Sequence, residues 1–483
     1  MAKILIINPN KWGRGITFLW MASHSALLKK HNHEVKLFDC TFYESWSENE
    51  INFNSANKMY KKSDYVSYVK YNKNDLKSDL KKTIENFSPD IIFWSSISSH
   101  IHSEGEYVNI QYGYDLLNDF KLSKIKKITG GLQATADPKK IFSLFKNIDY
   151  LIRGETEMVL LEIANKLDNG KNIDDTDGLA YINNNKVITN QKQKIIPDLD
   201  VMSPYDYSIF EEQTFFRPYN GEVLKAVDFE ISRGCIYSCS YCVETVIQKY
   251  YSFNEHNPKT GAIKNFKNYH RSKSPEMVFE EIKNLNKNYG ISLFRCQDTN
   301  FLTINKAVLE KLSELINNSN LDIKLYIETR PEGINEKTVK LLKKLKVDGV
   351  GMGVELSDQD FREKNLNRFA NQEKTINAFK LLKENGIKRT AYNVIGFPEQ
   401  DENSIIQTIN FNKQINPDNI TLAFYTPYIG TKQYDKAVST KEYDSYNFNA
   451  DNILRSTTKS KKISSETLSY YKKNFVDLVR CEK

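Results

Sequence analysis

The chain has 483 residues, of which 40% are hydrophobic and 27% are charged, and its 68 Lys and Arg against 61 Asp and Glu give a formal net charge of +7. This composition excludes collagen-like and wholly disordered proteins, and the length predicts two or three domains. No apolar run approaches the roughly 18 residues of a membrane span, and the one at Ile4–Ile7 is too short for a signal peptide. Six cysteines, three of them close together, favour a reduced, cytoplasmic compartment and a ligand cluster over a disulfide scaffold.

Short apolar segments alternate with amphipathic stretches in residues 1–168. This alternation predicts a doubly wound, Rossmann-like α/β domain, with a parallel sheet and helices on both faces. The expected strands are Ile4–Ile7, Val35–Phe38, Asp90–Trp94, Ile125–Thr129 and Ile148–Ile152. Ligands of such sheets bind beyond the carboxyl ends of the strands.

Residues 169–226 interrupt the alternation and are predicted to form a linker. Within them, Gly178–Thr189 predicts a small hairpin that turns at Asn183–Asn185. Prolines break up the remainder of the segment, which has little periodicity.

A second alternation in residues 227–430 predicts a partial (β/α)6 barrel, followed by a helical C-terminal extension at 431–483. The expected strands are Val227–Ser232, Ile291–Cys296, Ile323–Glu328, Gly349–Glu355, Thr390–Ile395 and Ile420–Tyr425. Active-site groups of such barrels belong at the carboxyl ends of the strands.

A CxxxCxxC motif, formed by Cys235, Cys239 and Cys242, follows the first predicted barrel strand. Three thiolates at this spacing can bind three irons of a [4Fe–4S] cluster and leave the fourth iron open to an external ligand. A zinc site is one alternative, although it usually needs four protein ligands. Cys296 is a poor fourth ligand, because it lies much further along the chain among apolar neighbours of a predicted strand. Structural cysteines shielded from solvent are the other alternative.

With this motif after the first strand of a partial barrel, the chain resembles the radical SAM superfamily. The resemblance implies that the open iron binds the amino and carboxylate groups of S-adenosyl-L-methionine (SAM), and that Tyr241 lies against its adenine. Carboxylates suit ribose hydroxyls, an arginine suits a carboxylate, and a glycine permits close backbone approach. The implied SAM-binding residues, at or just past strand ends, are Asp298, Asn300, Glu328, Arg330, Glu355, Asn393, Ile395 and Gly396.

The order of first domain, linker and barrel resembles the cobalamin (B12)-binding radical SAM class, which makes residues 1–168 a cobalamin-binding domain. The implied cobalamin-binding residues are Asn8, Asn10, Trp12, Ser95, Ser96, Thr129, Gly130, Gly131, Gly154 and Glu155. Cobalamin domains that ligate cobalt carry a D-x-H-x-x-G motif, and here Asn10 stands in the place of its histidine. We therefore predict base-off cobalamin without a protein histidine ligand. We expect His24, His31 and His33 to lie on the surface or at helix ends.

The resemblance implies methylation of an unactivated carbon of a small-molecule or biosynthetic substrate, through a 5′-deoxyadenosyl radical and methylcobalamin. It also implies an electron donor such as flavodoxin or ferredoxin. Ring rearrangement and oxidative cyclisation use the same cofactors and stay open as alternatives, as does a member that has lost cobalamin. The first domain holds only Cys40, which argues against a methylthiotransferase with a second set of three cysteines.

A non-catalytic alternative is a zinc-stabilised RNA-binding or adaptor protein, with Lys264–Lys273 as a phosphate-binding patch. The mild, dispersed positive charge argues against nucleic acid as a partner. Neither the substrate nor the oligomeric state follows from the sequence.

Overall fold

The computed structural model describes residues 1–47, 58–59, 61–94, 103–441 and 462–481. The chain packs as two compact units. The N-terminal unit comprises Met1–Ile51, Asp64–Arg217 and Val246–Ser252, and the C-terminal unit comprises Asn52–Ser63, Pro218–Thr245 and Phe253–Lys483. Most of the segment predicted as a linker therefore packs within the N-terminal unit. The functional domain limits of the sequence analysis stay predictions.

A seven-stranded sheet in the order β2-β1-β3-β4-β5-β6-β7 forms the centre of the N-terminal unit. Its parallel strands are β1 (Lys3–Asn8), β2 (Glu34–Asp39), β3 (Ile91–Trp94), β4 (Lys126–Thr129) and β5 (Tyr150–Ile152). Its helices are α1 (Leu19–Lys30), α2 (Leu76–Phe87), α3 (Ser103–Leu117), α4 (Leu132–Ala136), α5 (Pro138–Leu144) and α6 (Glu157–Asp168). The strand order reverses at β1, so that right-handed crossovers place helices on both faces, and the predicted doubly wound fold is confirmed.

Local sequence explains these elements. All four residues of β3 are buried, as expected for a parallel strand with helices on both faces, whose sequence is continuously apolar. Helix α2 begins where the Asp75 side chain accepts a hydrogen bond from the Ser78 amide. Its buried residues, Leu76, Leu80 and Ile84, recur every four positions and face the sheet.

The predicted hairpin is formed by β6 (Leu179–Asn183) and β7 (Lys186–Thr189). Its turn places Asn184 and Asn185 in the left-handed region, with φ of 48° and 61°, which asparagine tolerates better than most residues. Strand β6 pairs antiparallel with β5. The hairpin therefore extends the edge of the N-terminal sheet and does not stand in a separate linker.

The C-terminal unit holds a second seven-stranded sheet, in the order β16-β15-β14-β13-β12-β9-β8. Its strands are β8 (Phe216–Tyr219), β9 (Glu222–Phe229), β12 (Leu293–Cys296), β13 (Lys324–Thr329), β14 (Val347–Glu355), β15 (Lys388–Ile395) and β16 (Asn419–Phe424). The six strands from β9 to β16 pair in parallel, which confirms the partial (β/α)6 barrel. Two short strands, β10 (Ser232–Arg233) and β11 (Arg271–Ser272), pair separately and antiparallel.

The remaining helices are α7 (Glu244–Tyr250), α8 (Pro275–Tyr289), α9 (Lys306–Asn317), α10 (Glu336–Lys344), α11 (Gln359–Leu366), α12 (Gln372–Glu384), α13 (Glu402–Ile415), α14 (Lys432–Ser439) and α15 (Ser465–Arg480). Helices α14 and α15 belong to the predicted helical extension, and residues 442–461 between them lie outside the described part of the chain. None of the described helices is long and apolar enough to cross a membrane.

Candidate active site

The cysteine loop begins directly after β10. Cys235 and Cys239 are buried and Cys242 is partly buried. Burial is the main reason why the pKa values of Cys235 and Cys242 lie well above the ordinary thiol value, and the neighbouring cysteines raise the pKa of Cys242 further. Without metal these two thiols are therefore protonated at neutral pH, and metal binding would displace their protons.

The spacing of the three thiols indicates which kind of metal centre they could hold. Among the residues that the structure describes, no three His, Cys, Asp or Glu side chains are grouped to hold one metal ion. In a [4Fe–4S] cluster each cysteine ligates a different iron, so the sulfurs stand further apart than on a single zinc. The three cysteines of one short loop fit such a cluster as a donor set.

Asp298, which follows β12, holds the backbone that leads into this loop. It is fully buried, and it accepts hydrogen bonds from the Ile231 amide at 3.2 Å and from the Ser232 hydroxyl at 2.6 Å. Burial raises its pKa to about 7, and the hydrogen bonds from Ser232 offset part of that rise. These contacts give Asp298 a positioning role, and its implied contact with SAM stays a prediction.

Arg330, just past β13, has unfilled hydrogen-bonding capacity beside the cysteine loop. Its guanidinium lies 3.9 Å from the ring centroid of Tyr237, which belongs to the loop, and one nitrogen is 3.0 Å from Glu332. Nε and Nη1 are buried and have no hydrogen-bond partner. Buried N–H groups without a partner are costly, so an anionic ligand at this position fits the residues present. Asn300 orients Arg330 by accepting a hydrogen bond from its amide at 3.3 Å.

Glu355 ends β14 in a left-handed conformation, with φ of 60°. The Arg368 guanidinium lies 3.6 Å from its carboxylate and donates to the carbonyl of Gly353. A Cβ at Gly353 would lie 2.4 Å from the Glu355 carboxylate and 2.8 Å from the Arg368 guanidinium, so a larger residue there would have to displace this pair. Tyr241 of the cysteine loop packs edge-on against Phe397, with ring centroids 6.2 Å apart.

Asn393 and Ile395 of β15 point to the helix side of the barrel sheet. The Asn412 side chain of α13 donates to Asn393 Oδ1 at 2.8 Å, and Ile395 is part of a core with α13 and α15. Their side chains are thus occupied by helix packing, and any contact with SAM would come from their backbone. Gly396, with φ of 91°, turns the chain after the strand, and its amide donates to Gln400.

Alternate residues of a strand face opposite sides of the sheet. Tyr392 therefore lies on the face of the barrel sheet that is turned away from the helices, and we call this the concave face. Its hydroxyl donates to Glu328 at 2.9 Å and lies 2.7 Å from the hydroxyl of Tyr326. Burial raises the pKa of Glu328 from 4.5 to about 7, although Tyr392 and the nearby Arg295 lower it. Glu328 therefore lies in a hydrogen-bonded group on the concave face.

Sequence reasoning named Glu328 as a site residue but missed its neighbours Tyr326, Tyr392 and Arg295. We call these four residues the concave-face network. The signal that could have found it is the alternation of glycines at 349, 351 and 353 on β14. A Cβ at Gly349 would lie 2.8 Å from the Tyr326 ring, and one at Gly351 would lie 2.5 Å from the Tyr392 hydroxyl. Because these glycines have no side chains, both tyrosine rings can lie across β14.

In the N-terminal unit, the loop after β1 is held by its asparagines. Asn8 donates to Asp39 at 3.0 Å, and Asn10 donates to the Arg14 carbonyl and to Thr41, both at 3.0 Å. The side-chain oxygen of Asn10, Oδ1, in turn accepts a hydrogen bond from the Trp12 amide at 2.9 Å. These contacts shape the loop where the histidine of a D-x-H-x-x-G motif would stand, and they leave the two asparagines inside the protein.

Two of the predicted cobalamin contacts have other partners within this unit. A Cβ at Gly154 would lie 2.6 Å from both Tyr250 and Tyr251. The Glu155 amide donates to the Tyr251 hydroxyl at 2.9 Å, and its carboxylate accepts the Ile196 amide at 3.1 Å. Gly154 and Glu155 thus contact Tyr250 and Tyr251, which lie near the end of the segment Val246–Ser252.

The carboxyl end of β4 is better suited to bind a ligand than the positions of Gly154 and Glu155. The Thr129 hydroxyl donates to the Trp94 carbonyl at 2.8 Å; after it, Gly130 and Gly131 lead into α4, and Gly131 has a φ of 111°. Gln133 is fully buried, and neither its amide nitrogen nor its amide oxygen has a partner. A ligand that is rich in amide groups, as a corrin is, fits this unsatisfied side chain. Ser95 and Ser96 lie outside the described residues.

The histidines only partly match expectation. His31 ends α1 and is exposed, as expected. His24 and His33 are buried instead of lying on the surface. One ring nitrogen of His24 meets Thr156 at 3.0 Å and the other meets the Trp20 carbonyl, while His33 bonds the Ala2 amide at 3.2 Å. These hydrogen bonds satisfy the two buried rings within the protein. That no histidine ligates cobalt stays a prediction.

Residues 229–411 match the Radical SAM superfamily. This part of the chain is a radical SAM domain. This domain implies SAM and a [4Fe–4S] cluster as cofactors, and the cysteine loop and Arg330 lie within it.

The chain is similar to curated proteins along most of its length. It is 25% identical over 400 residues to an uncharacterized methyltransferase of Pyrococcus horikoshii, covering 81% of this chain and 79% of that protein. It is 26% identical over 423 residues to an anaerobic magnesium-protoporphyrin IX monomethyl ester cyclase of Rubrivivax gelatinosus, covering 85% of this chain and 70% of that protein.

One similar solved structure is the radical SAM methyltransferase TsrM from Kitasatospora setae, with cobalamin and a [4Fe–4S] cluster bound. The TM-score is 0.65 at 15% identity, covering 98% of this chain and 85% of that chain. At this identity the similarity shows the fold, and it confirms the predicted fold class, a doubly wound N-terminal domain followed by a partial barrel.

Proposed function

We propose that this radical SAM enzyme depends on cobalamin and methylates an unactivated carbon of a small-molecule substrate. The observation that carries the proposal is the buried three-cysteine loop beside the unpaired N–H groups of Arg330, in a chain with the fold of a cobalamin-binding methyltransferase. The cluster, SAM and cobalamin, when bound, supply the radical chemistry and the methyl group. A reduced flavodoxin or ferredoxin is the proposed electron donor.

The chain's own residues have distinct tasks in this proposal. Cys235, Cys239 and Cys242 hold three irons, and burial of the loop keeps water from them. Arg330 binds the carboxylate of SAM through the nitrogens that have no partner in the protein. Asp298 holds the backbone at the start of the loop, so that the thiols keep their positions.

The concave-face network is proposed to contact the substrate. It combines a carboxyl group, two phenols and a guanidinium on one face of the barrel sheet. Such a surface favours a substrate with hydrogen-bonding groups over a wholly apolar one, because an apolar ligand would shield these polar groups from water without offering them further hydrogen bonds.

Cobalamin binding is proposed for the N-terminal unit, at the carboxyl end of β4, with the buried amide of Gln133 as one contact. Asn10 offers no good cobalt ligand and is already engaged with Thr41. We therefore propose that the cofactor binds base-off without a histidine ligand.

A second candidate is oxidative cyclisation with the same cofactors. It is favoured by the similarity to the monomethyl ester cyclase of Rubrivivax gelatinosus, which extends over 85% of this chain. Product analysis separates the two, because methylation adds one carbon to the substrate and cyclisation adds none.

The first test is anaerobic purification and reconstitution with iron, sulfide and hydroxocobalamin, followed by an absorption spectrum and a metal count. We expect four irons and one tightly bound cobalamin per chain. Four irons without cobalamin would restrict the function to SAM chemistry alone. About one zinc and no sulfide would refute the enzymatic proposal and support a zinc-stabilised adaptor.

A further inference from the structure

We propose that Glu244, two residues after the last cysteine, is a positioning residue that ties the two ends of the cysteine loop together and whose negative charge lowers the reduction potential of the cluster. The inference rests on the proposed function, because it assumes that Cys235, Cys239 and Cys242 hold a [4Fe–4S] cluster.

Glu244 links the two ends of the motif. Its carboxylate accepts a hydrogen bond from the Cys235 amide at 3.0 Å. Glu244 is also the first residue of α7, two positions after Cys242. Its side chain therefore holds the backbone of the first cysteine next to the segment that directly follows the last one.

Tyr269 supports the carboxylate from another segment. Its hydroxyl donates to the same oxygen of Glu244 that receives the Cys235 amide. Tyr269 is almost completely buried and packs against Gly234, where a Cβ would lie 2.6 Å from the Tyr269 carbonyl oxygen. Gly234 also has a φ of 92°, so close packing and backbone conformation both favour glycine before the first cysteine.

The charge of Glu244 acts on the sulfurs. The side chain is buried, so its field is poorly screened by solvent. Its carboxylate oxygen lies 3.0 Å from the amide nitrogen of Cys235, the residue that carries the first of the three sulfurs.

The same field would act on a cluster bound to these sulfurs. Reduction adds one negative charge to the cluster, and a nearby carboxylate opposes that addition. The carboxylate therefore makes the reduced cluster a stronger electron donor. Hydrogen bonds to the sulfurs, such as that of the Tyr237 amide to Cys235 at 3.4 Å, shift the potential the other way.

The test compares reconstituted wild-type protein with Glu244→Gln in the absence of substrate. Glutamine keeps an oxygen that accepts from Cys235 and Tyr269 and removes only the charge. We expect the same four irons per chain and a midpoint potential shifted to a more positive value, measured by redox titration monitored by EPR. Glu255→Gln is the matched control, since this carboxylate is exposed and pairs with Lys264 at 3.2 Å; its potential should equal that of the wild type.

Two further variants separate charge from packing. Glu244→Leu removes the hydrogen bonds as well, and we expect it to lose iron. Tyr269→Phe removes one hydrogen bond to the carboxylate and keeps its charge, so the midpoint potential of the cluster should stay the same or become more negative. An unchanged potential in Glu244→Gln, loss of iron in that variant, or equal positive shifts in Glu244→Gln and Tyr269→Phe would overturn the inference. If the wild type itself takes up no iron–sulfur cluster, the proposed function fails instead.

Discussion

The carboxyl group of Glu328 allows a quantitative test of the barrel interior. It is partly buried on β13, accepts a hydrogen bond from Tyr392, and has Arg295 and Glu355 as its charged neighbours. Burial raises its pKa from 4.5 to about 7. A rise of this size disfavours the ionised form in the folded protein by about 3 kcal/mol. Residual exposure to solvent makes this value an upper limit.

The substitution Glu328→Gln removes the titration while keeping an acceptor for Tyr392. Below pH 4.5 the carboxyl is protonated in both the folded and the unfolded chain and costs nothing. Between pH 4.5 and about 7 the unfolded chain ionises first, so the folded wild type loses stability. Above about pH 7 the carboxyl is ionised in both the folded and the unfolded chain, and the loss of stability reaches its full value. Glu328→Gln should therefore match the wild type at pH 4 and exceed it by up to about 3 kcal/mol at pH 8.

Urea unfolding of both proteins at several pH values between 4 and 8 measures this difference. The control is Glu310→Gln, because Glu310 is a solvent-exposed carboxylate on α9 that pairs with Lys306. Its stability difference from the wild type should be small and nearly independent of pH. A pH-independent difference for Glu328→Gln, or one that grows towards acid, would refute the burial argument.

Three other predictions follow from single side chains. Cys239→Ala should abolish iron uptake on reconstitution, whereas Cys481→Ala, at an exposed cysteine, should leave the iron count unchanged. Gly351→Ala should lower the free energy of unfolding by about 1–3 kcal/mol, because its Cβ would lie 2.5 Å from the Tyr392 hydroxyl, and wild-type stability in urea would contradict the packing. Gln133→Leu should raise the stability of the cobalamin-free protein by about 1–2 kcal/mol, because it removes two buried groups without partners. The same variant should bind hydroxocobalamin more weakly in an absorbance titration; a less stable protein with normal binding would show that Gln133 is satisfied within the fold.

Much of this protein is determined by local sequence. The parallel strands of both sheets follow from short apolar segments between amphipathic helices, and each predicted barrel strand overlaps an observed one. The cysteine loop follows from spacing alone, because its three cysteines lie within eight consecutive residues. The hairpin turn at Asn184 and Asn185 was likewise readable, since asparagine tolerates a positive φ.

Tertiary structure decided how the individual side chains are used. Asn393 and Tyr392 are neighbours in sequence, yet one bonds to a helix and the other to Glu328, because alternate strand residues face opposite sides of the sheet. Gly154 follows a strand end as a ligand-binding glycine would, but distant tyrosines pack on it. His24 was expected at the surface or at a helix end, yet it is buried in the middle of α1. Motifs and strands depend on residues close in the chain, whereas partners and burial depend on segments brought together by folding, which spacing along the sequence does not encode.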